Sequence, residues 1–100
     1  MPAHPRKLLT LICEASLEAT LTRELVRAGA RGYTASDARG SGSRGTRDAL
    51  WGATSNVRIE ILCDEAVAAR IMEMVEAKYS ADYGIVMYLA DVEVRRASKF

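Results

Sequence analysis

The 100-residue chain has few of the residues on which catalysis and metal binding usually depend. It contains one histidine, two cysteines and no glutamine. His4 lies between two prolines near the N-terminus, where a lone imidazole makes a poor general base and a poor metal ligand. No serine has the Gly-x-Ser-x-Gly context of a hydrolase nucleophile. The composition therefore predicts a protein that is not an enzyme, with no metal site and no catalytic cofactor.

Long apolar runs and a strong net charge are also absent. The longest run, Leu8–Cys13, is interrupted by Thr10 and is too short for a membrane span or a signal peptide. A formal net charge of only +1 argues against nucleic-acid binding over the whole surface. Cys13 and Cys63 each end an apolar run without Cys-x-x-Cys spacing, which is typical of reduced core thiols. We therefore expect a cytoplasmic protein with no membrane insertion.

The hydrophobic pattern predicts one domain over 7–100 after a disordered tail at 1–6. Strands are predicted over 7–13, 32–39, 56–63 and 85–94 because these runs are apolar or alternate with period two. Helices are predicted over 16–28 and from 65 onward because apolar residues recur every three or four positions. Ser16 and Asp64 are the predicted N-caps, and Gly29 is the predicted left-handed residue after the first helix.

This order of elements predicts an α+β, ferredoxin-like βαββαβ sandwich. The expected sheet is antiparallel with strand order 4-1-3-2, and both helices cover one face. The first and last strands are apolar on both sides, so the second face of the sheet is expected to pack against other subunits. The sequence therefore predicts a cyclic homo-oligomer.

A loop at about 40–55 separates the two halves of the domain. Three glycines and three arginines fall in or beside it: Gly40, Gly42, Gly45, Arg39, Arg44 and Arg47. Glycines let backbone N–H groups approach a ligand, and guanidinium groups suit phosphate or carboxylate oxygens. The spacing matches neither a phosphate loop nor a dinucleotide turn. Three interpretations remain open: a solvent-exposed hairpin, an RNA-binding segment, and a lid over an anionic ligand.

The residues around this loop resemble those of a known family. The run Leu17–Gly45, which ends in RAGARGYTASDARGSGSRG, resembles the first helix, second strand and T-loop base of PII signal-transduction proteins. The segments SNVRIEIL and YSADYGIVMYLADVEV resemble the branch linked to inorganic-carbon uptake, namely the SbtB-like and carboxysome-associated PII proteins. The resemblance covers residue 7 to about 94. It implies a compact trimer that binds ADP, AMP or ATP in the clefts between subunits, together with bicarbonate.

The resemblance also implies roles for individual residues. Nucleotide contacts fall to Thr34, Gly40, Ser41, Gly42, Tyr83 and Gly84. Contacts to phosphate or bicarbonate fall to Ser43, Arg44 and Arg47. Near the loop tip, Leu50 and Trp51 are expected to face a target protein, either a bicarbonate transporter or a carboxysome-linked protein.

The sequence departs from nitrogen-sensing PII proteins in two respects. The T-loop glutamine that serves magnesium and 2-oxoglutarate is missing, and 82–84 read Asp-Tyr-Gly in place of a phosphate clamp rich in glycine and lysine. We therefore expect no response to 2-oxoglutarate and a weaker preference for ATP. Two alternatives are an RNA-binding ferredoxin-like domain, which lacks aromatic platforms on its strands, and a metal-binding relative of the same fold.

Overall fold

The computed structural model describes residues 2–42, 45–46 and 56–100, with the backbone alone for 41–42 and 45–46. Along the chain it has β1 (His4–Glu14), α1 (Glu18–Arg27), β2 (Thr34–Ala38), β3 (Ser41–Gly42), β4 (Gly45–Thr46), β5 (Asn56–Cys63), α2 (Glu65–Lys78) and β6 (Val86–Val94). The main sheet is antiparallel with the order β2-β5-β1-β6. The predicted ferredoxin-like fold and its strand order are confirmed.

The core lies between one face of this sheet and the two helices. Alternate residues of the central strands are fully buried, among them Leu9 and Leu11 of β1 and Ile59 and Ile61 of β5. They pack against helical residues that include Leu21, Leu25, Ile71 and Val75. Burial of each such side chain contributes about 1.5–3 kcal/mol. Val26 of α1 is apolar but lies outside this core and is 55% exposed.

The opposite face of the sheet has no covering layer within the described part of the chain. We call it the open face, and its apolar residues include Leu8, Ile12, Val86, Tyr88 and Ala90. Val86 and Tyr88 are 43% and 49% exposed, whereas Leu8 and Ile12 are half-buried. An isolated subunit therefore leaves apolar surface in water on β1 and β6, as the sequence predicted.

The predicted helix termini agree with the structure at two of three positions. The Asp64 carboxylate accepts a 2.9 Å hydrogen bond from the Val67 N–H and caps α2. Gly29 has a φ of 115°, the left-handed conformation expected after α1. The prediction of Ser16 as an N-cap was wrong: a 3-10 turn over 15–17 precedes α1, and the Ser16 hydroxyl donates instead to the Glu14 carboxylate at 3.4 Å.

Strand boundaries differ from the prediction where tertiary pairing sets them. β1 begins at His4 instead of residue 7, because 4–6 pair with the end of β6, so the predicted tail over 1–6 is too long. Pro5 is tolerated there because β5 ends at Cys63, opposite Lys7, and β1 pairs on only one side beyond that point. β2 is shorter than predicted because β5 begins at Asn56, opposite Ala38.

The two cysteines lie at opposite ends of neighbouring strands. Cys63 pairs with Lys7, and Cys13 pairs with Val57, so both thiols are buried and neither is in a disulfide bond, as predicted. Burial raises the pKa of the Cys63 thiol, which keeps it protonated. In the described ranges, neither helix has the length and apolar composition needed to cross a bilayer.

Candidate functional site

Four strand ends meet at one end of the sheet, which we call the loop end. There β1 ends at Glu14, β2 ends at Ala38, β5 begins at Asn56 and β6 begins at Val86. The register aligns Ser36, Arg58, Ile12 and Val86 in one row across all four strands. Gly40–Gly42, which follow β2, and Tyr83–Gly84, which precede β6, therefore lie at the same end of the sheet.

The two candidate nucleotide-binding segments nevertheless lie on opposite edges of the sheet. β2 and β6 are the edge strands, with β5 and β1 between them. Three inter-strand spacings of about 4.8 Å separate them by roughly 14 Å. Thr34 and Gly84 therefore lie on opposite edges of one chain, although Gly40 and Val86 line a common cavity within it. A compact site that joins Thr34 to Gly84 requires a second subunit.

A cavity of about 450 Å³ opens at the loop end beside the start of the predicted T-loop. Its lining residues come from four strands and one loop: Ile12, Asp37, Ala38, Arg39, Gly40, Asn56, Arg58 and Val86. Ile12 and Val86 give it an apolar wall, and the Asn56 side chain is buried. Its basic residues are Arg39 and Arg58, and guanidinium groups suit an anion. Asp37 also borders the cavity, but it pairs with Val57 of the core, so its side chain lies on the face of the sheet opposite to that of Arg58.

Among the predicted site residues that the structure describes, only Gly40 lines this cavity. Sequence reasoning missed Arg58, to which it assigned no role in a binding site. Within the described residues the ion pairs are Lys7–Asp91 and Lys78–Glu24, and neither involves Arg58. The signal that could have identified it was the predicted strand order, which already placed β5 beside both β2 and β1.

The remaining predicted nucleotide-binding residues are placed as follows. Thr34 is exposed at the start of β2, opposite Glu60. Tyr83 is half-buried, its N–H donates to the Tyr79 carbonyl at 3.0 Å, and the two rings lie 6.1 Å apart. The Tyr83 ring is thus held against the core, so its exposed edge and its backbone are what a ligand could contact. Gly84 is half-buried at the loop end.

The predicted T-loop begins with a short hairpin that the sequence did not predict. Ser41 pairs with Thr46 and Gly42 with Gly45 in a two-stranded antiparallel ladder. Ser41 and Gly42 directly follow Gly40, which lines the cavity, so the hairpin begins at the edge of the cavity. Five predicted site residues lie outside the described part of the chain: Ser43, Arg44, Arg47, Leu50 and Trp51.

A hydrogen-bonded cluster connects the two helices near Tyr83. The Glu24 carboxylate of α1 accepts 2.5 Å hydrogen bonds from the Lys78 ammonium group and the Tyr79 hydroxyl. Both donors lower the pKa of Glu24, Lys78 most strongly, and the hydrogen bond to Glu24 raises the pKa of Tyr79 to about 12. We call these three residues the helix clasp. It fixes the end of α2, where the turn toward Tyr83 and Gly84 starts.

The basic C-terminal segment lies at the far end of the sheet. Val94 pairs with His4, at the opposite end of β1 from Glu14. The following 3-10 turn is held by Arg6, which donates to the Ala97 carbonyl at 3.2 Å, and by Arg31, which donates to the Ser98 carbonyl at 2.6 Å. This segment therefore does not contribute to the cavity of its own chain.

Comparisons with known proteins agree on one family. A family model described as nitrogen regulatory protein P-II matches residues 6–99. A crystal structure of a PII-like signalling protein from Thermus thermophilus is 40% identical, with a TM-score of 0.86 over 100% of this chain and 99% of that chain.

Two structures of CPII from Thiomonas intermedia are also similar. One, bound to ADP and bicarbonate, is 26% identical with a TM-score of 0.89, and covers 99% of this chain and 97% of that chain. The other, bound to ADP, AMP and acetate, is 25% identical with a TM-score of 0.86, and covers 100% and 98%.

Proposed function

Because the chain belongs to the nitrogen regulatory protein P-II family, we propose that it is a homotrimeric regulatory sensor that binds adenine nucleotides together with bicarbonate. The ligands are ADP, AMP or ATP, in clefts between subunits. The role is regulatory and not catalytic. ADP, AMP and bicarbonate are ligands of the similar CPII protein, and we assign them to this chain because of that similarity.

The observation that carries this proposal is the position of the two candidate segments. Thr34 begins the edge strand β2 and Gly40–Gly42 follow that strand, whereas Tyr83 and Gly84 precede the other edge strand, β6. A cleft between two subunits would place these two segments side by side, and the fold of each chain would stay unchanged. Packing of the open face supports the same assembly, because it removes Tyr88 from water. A trimer is consistent with family membership.

Within each cleft, we assign the nucleotide to the residues that the sequence suggested. These are Thr34, Gly40, Ser41, Gly42, Tyr83 and Gly84. Bicarbonate contacts from the T-loop are assigned to Ser43, Arg44 and Arg47. Each assignment is part of the proposal.

The output of the sensor is the conformation of the T-loop at about 40–55. A ligand changes the conformation of such a loop only if it binds one conformation more tightly than the others. Here the nucleotide and bicarbonate contact the loop only when it is closed over them. Leu50 and Trp51 then face the target, a bicarbonate transporter or a carboxysome-linked protein. The proposal thus places the chain in the SbtB-like or carboxysome-associated branch, in the cytoplasm, with a role in inorganic-carbon uptake or carbon fixation.

Calorimetric titration tests the ligand part of this proposal. ADP, AMP and ATP are each titrated in chloride and in bicarbonate at matched ionic strength. We expect saturable heat with ADP and AMP, and tighter binding in bicarbonate. An absence of heat with every nucleotide, combined with RNA binding that weakens steeply with salt, would instead support the RNA-binding alternative.

A further inference from the structure

The turn that follows α2 is held at its start by one residue, Tyr79. The Tyr79 carbonyl accepts hydrogen bonds from the N–H groups of Asp82 at 3.2 Å and Tyr83 at 3.0 Å. The Tyr79 ring lies 6.1 Å from the Tyr83 ring, at an interplanar angle of 47°. Tyr79 is also the C-cap of α2, and its N–H donates to the Val75 carbonyl at 2.9 Å. The position of Tyr83, and of Gly84 after it, therefore depends on the position of Tyr79.

The Tyr79 side chain is in turn held by Glu24, which belongs to the other helix. The Tyr79 hydroxyl donates to the Glu24 carboxylate at 2.5 Å, although the two residues are 55 positions apart in the chain. Tyr79 is buried and the Glu24 side chain is nearly so, which limits the access of water to this hydrogen bond. The ends of helices fray unless tertiary contacts hold them. This hydrogen bond supplies such a contact, because it ties the last turn of α2 to α1.

Lys78 forms the second hydrogen bond of the helix clasp, but it is not equivalent to Tyr79. Its ammonium group donates to the same carboxylate at 2.5 Å, yet the Lys78 side chain is 59% exposed, against 14% for Glu24. An ion pair with an exposed partner contributes little, because water screens the charges and a long side chain loses conformational freedom. The hydrogen bond from Tyr79 is therefore the part of the clasp that fixes the turn.

We propose that Glu24 is a positioning residue for nucleotide binding: through the Tyr79 hydroxyl, it holds the turn that presents Tyr83 and Gly84 to the cleft. This assignment deepens the function proposed above and rests on it. Glu24 acts on the turn only through Tyr79 and is not itself a nucleotide contact. When a binding segment adopts its binding conformation for only a fraction of the time, the apparent affinity falls by that fraction. Loss of the Glu24 carboxylate therefore weakens nucleotide binding although no ligand contact is removed.

Calorimetric titration with ADP compares wild type with Glu24→Ala, Glu24→Gln and Lys78→Met. At a temperature where every variant is almost fully folded, a loss of global stability by itself leaves the Kd for ADP unchanged. We expect Glu24→Ala to raise this Kd by about threefold or more, because the turn leaves its binding conformation more often. Glu24→Gln keeps an oxygen that accepts from the Tyr79 hydroxyl, so its Kd should stay within about twofold of wild type. Lys78→Met loses only the exposed ion pair and should also stay within about twofold.

Glu73→Ala is the matched control, since Glu73 is an exposed glutamate of α2 that forms no hydrogen bond or ion pair with the rest of the described chain. It should bind ADP as wild type does. Tyr79→Phe should weaken binding as much as Glu24→Ala, and the double variant should be no weaker, because both changes remove the same hydrogen bond. A wild-type Kd in Glu24→Ala, or additive losses in the double variant, overturns the assignment and leaves the proposed function standing. An equal loss in Lys78→Met also overturns it, because the ion pair then fixes the turn.

Amide hydrogen exchange provides a second measurement that needs no nucleotide. The exchange rate of the Tyr83 N–H rises with the population in which the turn is open. Glu24→Ala and Tyr79→Phe should each raise this rate about tenfold, whereas Lys78→Met and Glu73→Ala should leave it close to that of wild type. Equal rates in all five proteins contradict the positioning role. If the rates change as expected but wild type binds no adenine nucleotide, Glu24 still holds the turn and the proposed function alone fails, so the two failures are distinguishable.

Discussion

Replacing Tyr79 with phenylalanine removes one hydroxyl from the helix clasp and leaves the ring in place. That hydroxyl donates to the Glu24 carboxylate at 2.5 Å, and Tyr79 is 9% exposed. A hydrogen bond to a charged group contributes about 1.5–3 kcal/mol. Glu24 retains Lys78 as a donor, so its charge is not left without a partner. We therefore expect Tyr79→Phe to lower the free energy of unfolding by about 1–2 kcal/mol, near the lower end of that range.

The pH dependence of the stability difference provides a second, independent test of this prediction. The hydrogen bond raises the pKa of Tyr79 from about 10 to about 12. Its contribution to stability is therefore complete below pH 10 and is lost as the pH rises from 10 to 12. The pKa of Glu24 is lowered, so its contribution is present above its ordinary pKa and is lost as the pH falls below that range. The difference between wild type and Tyr79→Phe should be constant near neutral pH and shrink at both extremes.

Urea unfolding at one fixed protein concentration measures this difference, because an oligomer's apparent stability depends on concentration. Tyr83→Phe is the matched control, since no hydrogen bond from the Tyr83 hydroxyl is formed within the described residues. It should change stability by no more than about 0.5 kcal/mol. A loss in Tyr79→Phe as small as that of the control, or a difference that persists unchanged to about pH 12, would show that the Tyr79 hydroxyl does not stabilise the fold through Glu24.

Three further predictions concern the helix termini and the open face. Asp64→Ala removes the N-cap of α2 and should cost about 1 kcal/mol in urea unfolding, whereas Asp64→Asn should retain most of that stability. Gly29→Ala should cost about 1–2 kcal/mol, because φ is 115° and the added Cβ would lie 3.0 Å from the Arg70 guanidinium; an unchanged melting temperature would contradict this. Tyr88→Asp places a charge on the open face and should shift the sedimentation coefficient toward that of a monomer. A trimer that stays intact in this variant would show that the open face is not the subunit contact.

Much of the fold could be predicted because its signals are local. The bounds of β5 were predicted to the residue, since Val57, Ile59 and Ile61 alternate with charged neighbours and make one buried face. Gly29 and Asp64 each have a chemistry that suits one backbone role. Such features depend on few residues and need no knowledge of what lies across the sheet.

The errors arose where a distant partner decides the local structure. His4 belongs to a strand because β6 extends to Val94 and pairs with it, although the two residues are far apart in the chain. The cavity was missed for the same reason. Ile12, Asp37 and Arg58 come from three different strands, and only the register of the sheet brings them together. From the sequence alone, Arg58 is only a charged residue on the solvent-exposed face of a strand.

Mixed trimers test whether the nucleotide site is shared between subunits. Thr34→Glu and Gly84→Asp would each block one side of the cleft, and neither variant alone should bind ADP. When the two are co-expressed in equal amounts, about a quarter of the clefts combine two intact sides under random assembly. We expect calorimetry to recover about that fraction of the wild-type ADP stoichiometry. If the mixture binds no more ADP than either variant alone, the site lies within one chain and the account is contradicted.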